Sequence, residues 1–134
     1  MGIFARTFIG GISLEPDQWV LIDTEAGVEH FGRGILEGVD ALVAVADPSY
    51  DAIMLIAKIK AMADEGGKGL RVVLYKTDGD TDPLMQTLLE DRGVRIAAVL
   101  PLSRDITAGN LRALPLDVYP FRENLQALLG AIES

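Results

Sequence analysis

The chain contains no cysteine and a single histidine, His30, among its 134 residues. These two shortages exclude a disulfide framework, a thiolate metal site and any paired-histidine zinc motif. Aromatic residues amount to only 6% although 49% of the chain is hydrophobic. The interior must therefore be packed from Val, Leu, Ile and Ala, as in a parallel sheet covered by helices. Positive charge is also short: 12 Lys and Arg face 20 Asp and Glu, a formal charge of −8. That balance supplies no basic stripe for a nucleic-acid backbone. It also repels nucleotides unless magnesium or local amides compensate. No apolar run reaches membrane-spanning length and no signal-peptide design is present, so the expectation is a cytoplasmic protein without membrane insertion. The phosphate-loop pattern G-x-x-x-x-G-K-[ST] occurs nowhere. Gly10-Gly11 has no following lysine and is no substitute. Length and composition predict a single domain over residues 1–134.

What is present centres on residues 19–34, WVLIDTEAGVEHFGRG. Trp19-Val20-Leu21-Ile22 is too short for a helix and rich in strand formers. It stops at Asp23. An aspartate at the carboxyl end of a buried parallel strand lies where open α/β sheets bind ligands. Such a carboxylate can hold a magnesium-bound water, or it can merely cap the following turn. Glycines 32, 34 and 38 then interrupt a helix candidate, each at a cost of about 1 kcal/mol relative to alanine.

The rest alternates strand and helix. Residues 40–46 are nearly continuous apolar residues, read as a strand buried on both faces. Ser49 or Asp51 can cap a helix over about 50–64, with Ile53, Ile56, Ala57, Ile59 and Met62 at helical spacing. Residues 70–75 and 94–100 read as further strands, separated by a helix over about 83–91 that Gly93 closes. Asp78-Gly79-Asp80-Thr81-Asp82-Pro83 lacks the terminal glutamate of a calcium loop and reads as a solvated turn and helix cap. An amphipathic helix over about 121–132 ends the sequence. The fold expected is α/β: a mainly parallel sheet of at least four strands, near 19–23, 40–46, 70–75 and 94–100, with helices on both faces.

The string DTEAGVEHFGRGILEGVDALVAVADPS, residues 23–49, resembles the P-loop ATPases that mature carbon monoxide dehydrogenase, relatives of the MinD/ParA and nitrogenase iron-protein class. The E-H-x-G-R-G of residues 29–34 is the more specific part of that likeness. The resemblance implies an incomplete P-loop NTPase (Rossmann-like) fold, with the D-x-x-A-G turn as switch II. It implies that Asp23 holds magnesium through water and that Glu25 and Gly27 lie at the nucleotide, Gly27 through its amide. Pro101 and Asp105 resemble the loop that passes the adenine. Tyr75-Lys76 stands where the class carries an adenine-reading Asn-Lys. The family's metal-binding cysteine pair is absent.

The functional expectation is a partial ATPase-like protein, resembling metallocentre maturation ATPases, with no confident catalytic residue. It would take magnesium-ATP only if a missing N-terminal portion were supplied. The alternatives are a non-catalytic switch-II-type interaction module and a small flavodoxin-like or receiver-like binding domain, with Asp23, Asp47 and Lys76 mimicking a receiver's pocket. The class acts as dimers, so the expected partner is a second copy or a complementing N-terminal ATPase chain, with Glu29, His30 and Arg33 at the interface. In the class the phosphate-loop strand separates the strand at 19–23 from the one at 40–46. Without it three closures are open: the two strands pair directly, the N-terminal segment fills the gap, or another chain supplies the strand.

Overall fold

A computed structural model describes residues 7–24 and 36–133. Three strands form one parallel sheet in the order β1 (Ala41–Ala46), β2 (Gly69–Thr77), β3 (Ile96–Pro101). Four helices connect or follow them: α1 (Tyr50–Glu65), α2 (Asp82–Glu90), α3 (Arg104–Leu111) and α4 (Arg122–Glu133). A short 3-10 turn, Tyr119–Phe121, leads into α4.

Each strand–helix–strand unit carries its own punctuation. Ser49 caps α1, its Oγ accepting from the Ala52 amide at 3.1 Å. The helix ends where Gly67 adopts φ +64°. There the Lys68 amide donates to Ala63 O at 2.8 Å and the Gly67 amide to Asp64 O at 3.1 Å. This is a Schellman closure, which satisfies the last carbonyls and turns the chain into β2. The same device recurs at Gly93, φ +68°, where Val94 N donates to Leu89 O at 3.0 Å.

The register places Ala44 beside Val72 and Ala46 beside Leu74. Leu42, Ala46, Leu70, Val72 and Leu74 pack on one side with Ile53, Ile56 and Ala63 of α1 and Met85 and Leu89 of α2. Alternation sends Arg71 and Val73 to the other side. There the Arg71 Nε donates to Ala131 O of α4 at 2.6 Å, and Asn124 Nδ2 of α4 donates to Val99 O at 2.7 Å.

Two expectations fail. The sheet has three strands rather than at least four, because residues 19–23 form no strand. Trp19 is 57% and Leu21 94% exposed. Their side chains suit a strand, but a strand exists only by pairing, and this run has no ladder partner among the described residues. Nor is β1 buried on both faces. Leu42 and Ala46 are buried against α1, whereas Val43 and Val45 on the opposite face are 40% and 65% exposed. The helix α4 packs over β3 and β2.

Candidate ligand-binding edge

The carboxyl ends of β1, β2 and β3 open on one edge of the sheet, where parallel α/β folds place ligands. Beyond β1, the Ser49 hydroxyl donates to Asp47 Oδ1 at 2.8 Å while capping α1. The Asp47-Pro48-Ser49 turn is thereby fixed on the helix N-terminus.

The end of β2 is irregular. Tyr75 pairs with Leu100 and Thr77 with Pro101, so Lys76 is an extra residue in the ladder. It sits at φ +58°, and its Nζ lies 5.4 Å from the centre of the Tyr75 ring. A bulge with a non-glycine residue in the left-handed region is a site of backbone strain. Thr77 is 2% exposed and its Oγ1 has no hydrogen-bond partner. Its carbonyl accepts from the Leu102 amide at 3.0 Å, tying the loop after β2 to the one after β3.

Asp78 then organises the turn into α2. Its Oδ1 accepts from the Thr81 amide at 2.8 Å, the Thr81 hydroxyl at 2.8 Å and the Asp80 amide at 3.1 Å. The Thr81 amide, followed by its hydroxyl and the Asp80 amide, holds the Asp78 carboxyl below its ordinary value. This is the expected solvated turn. Past β3, Ser103 caps α3 with its Oγ accepting from the Ile106 amide at 3.3 Å.

Of the residues singled out from sequence, Pro101 ends β3 and Asp105 stands in the first turn of α3, both exposed at this edge. Asp23 is exposed and belongs to no strand. Glu25, Gly27, Glu29, His30 and Arg33 lie outside the described residues. The Lys76 bulge escaped sequence reading because a lysine at positive φ has no signature of its own. The α3 helix escaped it too. Ser103 was a readable cap, but Gly109 and Asn110 weaken the helical pattern.

The described residues do not by themselves amount to a magnesium-nucleotide phosphate site. The phosphate-loop pattern is missing from all 134 residues. Among the described residues no group of three or more His, Asp or Glu side chains is placed to hold a metal ion. Among the described residues the edge offers turns, caps and a cation, Lys76, next to an aromatic ring.

Comparison with known proteins gives the ancestry. An uncharacterised ATP-binding protein of Methanocaldococcus jannaschii is 36% identical over 107 residues, which is 79% of this chain and 42% of that protein. The carbon monoxide dehydrogenase accessory protein CooC of Rhodospirillum rubrum is 30% identical over 131 residues, 95% of this chain and 49% of that protein. This chain is a relative of these two proteins. A second uncharacterised ATP-binding protein of Methanocaldococcus jannaschii matches at 25% identity over 118 residues. No protein-family model matches the chain. The chain spans less than half the length of each of these relatives. Among the described residues no helix is long and apolar enough to cross a membrane.

Proposed function

We propose that this chain is the C-terminal, P-loop-ATPase-like part of a CooC-type ATP-binding unit and supplies the ligand edge without the phosphate site. The single observation that carries the reading is the match over 95% of this chain to under half of the accessory protein, with no phosphate-loop pattern in the matched sequence. In phosphoryl transfer that loop provides most of the positioning and charge stabilisation. The chain alone therefore neither holds ATP firmly nor turns it over. In the completed unit, Asp23 and Gly27 serve the magnesium and γ-phosphate side, and Pro101 and Asp105 border the base. The alternation of strand and helix from Ala41 to Leu111, with α4 packed back on β3 and β2, supports one domain. Cytoplasmic residence follows from this reading.

Calorimetry tests it directly. Residues 1–134 alone should show no micromolar affinity for magnesium-ATP. A chimaera joining them to the part of the Methanocaldococcus jannaschii relative that they do not match should bind at about micromolar Kd, near −8 kcal/mol. In the chimaera Asp23→Ala should weaken binding. Micromolar binding by the isolated chain would overturn the proposal.

A further inference from the structure

Asp78-Gly79 is the only Asp-Gly step in the sequence, and no Asn-Gly step occurs. Every other Asp and Asn precedes a residue with a side chain, and Asp47 and Asp82 precede proline. The distinction is chemical. The amide nitrogen that follows an aspartate can attack the carbonyl carbon of that aspartate's own side chain. A Cβ on the following residue hinders the approach and glycine has none, while proline has no N–H to react.

The structure leaves both partners of this attack accessible. Asp78 and Gly79 are exposed in the turn between β2 and α2. A Cβ built on Gly79 would meet nothing within 4 Å, so a small ring has room to form there. The Gly79 amide makes no hydrogen bond to the described residues, and no protein acceptor holds its nitrogen in place. One restraint opposes the reaction. Asp78 Oδ1 accepts from the Thr81 amide and the Thr81 hydroxyl, both at 2.8 Å, and from the Asp80 amide at 3.1 Å. These bonds direct the carboxyl forward along the chain and favour its ionised form. An ionised carboxyl is a poor electrophile, with no hydroxyl to leave.

We propose that Asp78 is the chain's site of spontaneous backbone isomerisation, through a succinimide formed with the Gly79 nitrogen, and that the Thr81 clamp sets its rate. When the clamp opens, the nitrogen bonds to Cγ of the neutral carboxyl. The amide proton and the carboxyl hydroxyl leave together as water. A second water then opens the ring. Breaking the new N–Cγ bond restores aspartate. Breaking the bond from that nitrogen to the main-chain carbonyl carbon gives isoaspartate, with the chain running through Cβ and Cγ. The mass returns to its starting value and no oxidant or reductant is consumed. The product carries its carboxylate directly on Cα and has one more methylene in its backbone. It can no longer offer Oδ1 to residues 80 and 81, so the start of α2 is unfastened at the edge where β2 ends. Its displaced carboxyl is a substrate for enzymatic isoaspartyl methylation.

The test is to age residues 1–134 in warm neutral buffer and locate isoaspartate by enzymatic methylation and peptide mapping. It should accumulate first at Asp78. Gly79→Ala should suppress it without unfolding the chain, because the added Cβ has open space. Thr81→Ala should accelerate it by about threefold to tenfold, the effect of losing one charge-assisted hydrogen bond at an exposed site. Thr81→Ser, which keeps the hydroxyl, should return the rate towards that of the parent chain. In urea the parent and Thr81→Ala should react equally fast, since neither retains the clamp. Isoaspartate arising first at another position, or an undiminished rate in Gly79→Ala, would overturn the site. Equal rates for the folded parent and folded Thr81→Ala, or a difference that persists in urea, would overturn the clamp.

Discussion

Lys76 and Asp78 stand two residues apart at the end of β2 and make opposite contributions. Lys76 is held at φ +58°, a conformation that costs an L-residue roughly 1–2 kcal/mol. Glycine avoids the Cβ clash but loses more entropy on folding. Lys76→Gly is therefore expected to be neutral or stabilising by up to about 1 kcal/mol in urea denaturation, whereas Lys76→Val should be clearly destabilising. Equal losses for both variants would show that the Lys76 side chain matters more than its backbone. Asp78 stabilises the turn in its ionised form. Its folded pKa lies below the ordinary 3.8, so the unfolded chain binds the proton more readily. The contribution is fully present above pH 3.8 and is lost as pH falls through the folded value. Asp78→Asn should lower Tm at neutral pH and flatten its decline on acidification. An unchanged acid limb of the Tm profile would refute this assignment.

At the scale of elements, the helix ends decide how the strands meet. Gly67 and Gly93 both have positive φ, and a Cβ at either would meet nothing within 4 Å. The penalty for a side chain there is conformational rather than steric. Gly93→Ala should cost roughly 1–2 kcal/mol by denaturant titration despite the open space around it. A neutral result would mean that the turn re-forms without the left-handed residue. Helix α4 presents a different balance. It has no buried residue of its own and is fastened by Asn124 to Val99 O and by Arg71 to Ala131 O. Removing the Asn124 amide leaves the Val99 carbonyl without its donor, at about 1–3 kcal/mol. Asn124→Ala should raise hydrogen exchange throughout α4 while the amides of β2, whose Val72 and Leu74 are fully buried, stay protected. A uniform rise across β2 and α4 would show that the helix is inseparable from global folding.

For the whole molecule, the three strands, the helices that follow them and the ligand edge seen among the described residues were readable to different depths from the amino-acid sequence. The alternation of apolar runs with capped helices determined the class, the parallel strands near 41–46, 69–77 and 96–101, and the helices that follow the first two of them. These features follow from local pattern, which the residues carry wherever they are placed. Ser49 as cap and Gly93 as terminator are local in the same sense. Tertiary structure decided what depends on a neighbour. Trp19-Val20-Leu21-Ile22 has strand composition but no ladder partner among the described residues, and β1 has interior composition but exposes Val43 and Val45 on one face. A hydrophobic pattern states which residues favour burial; only the assembled sheet states what is there to bury them. The Lys76 bulge belongs with these, because the mismatch between Tyr75–Leu100 and Thr77–Pro101 is a property of two strands together. Pairing, coverage and bulging are relations between segments far apart in the chain, and no single segment encodes them.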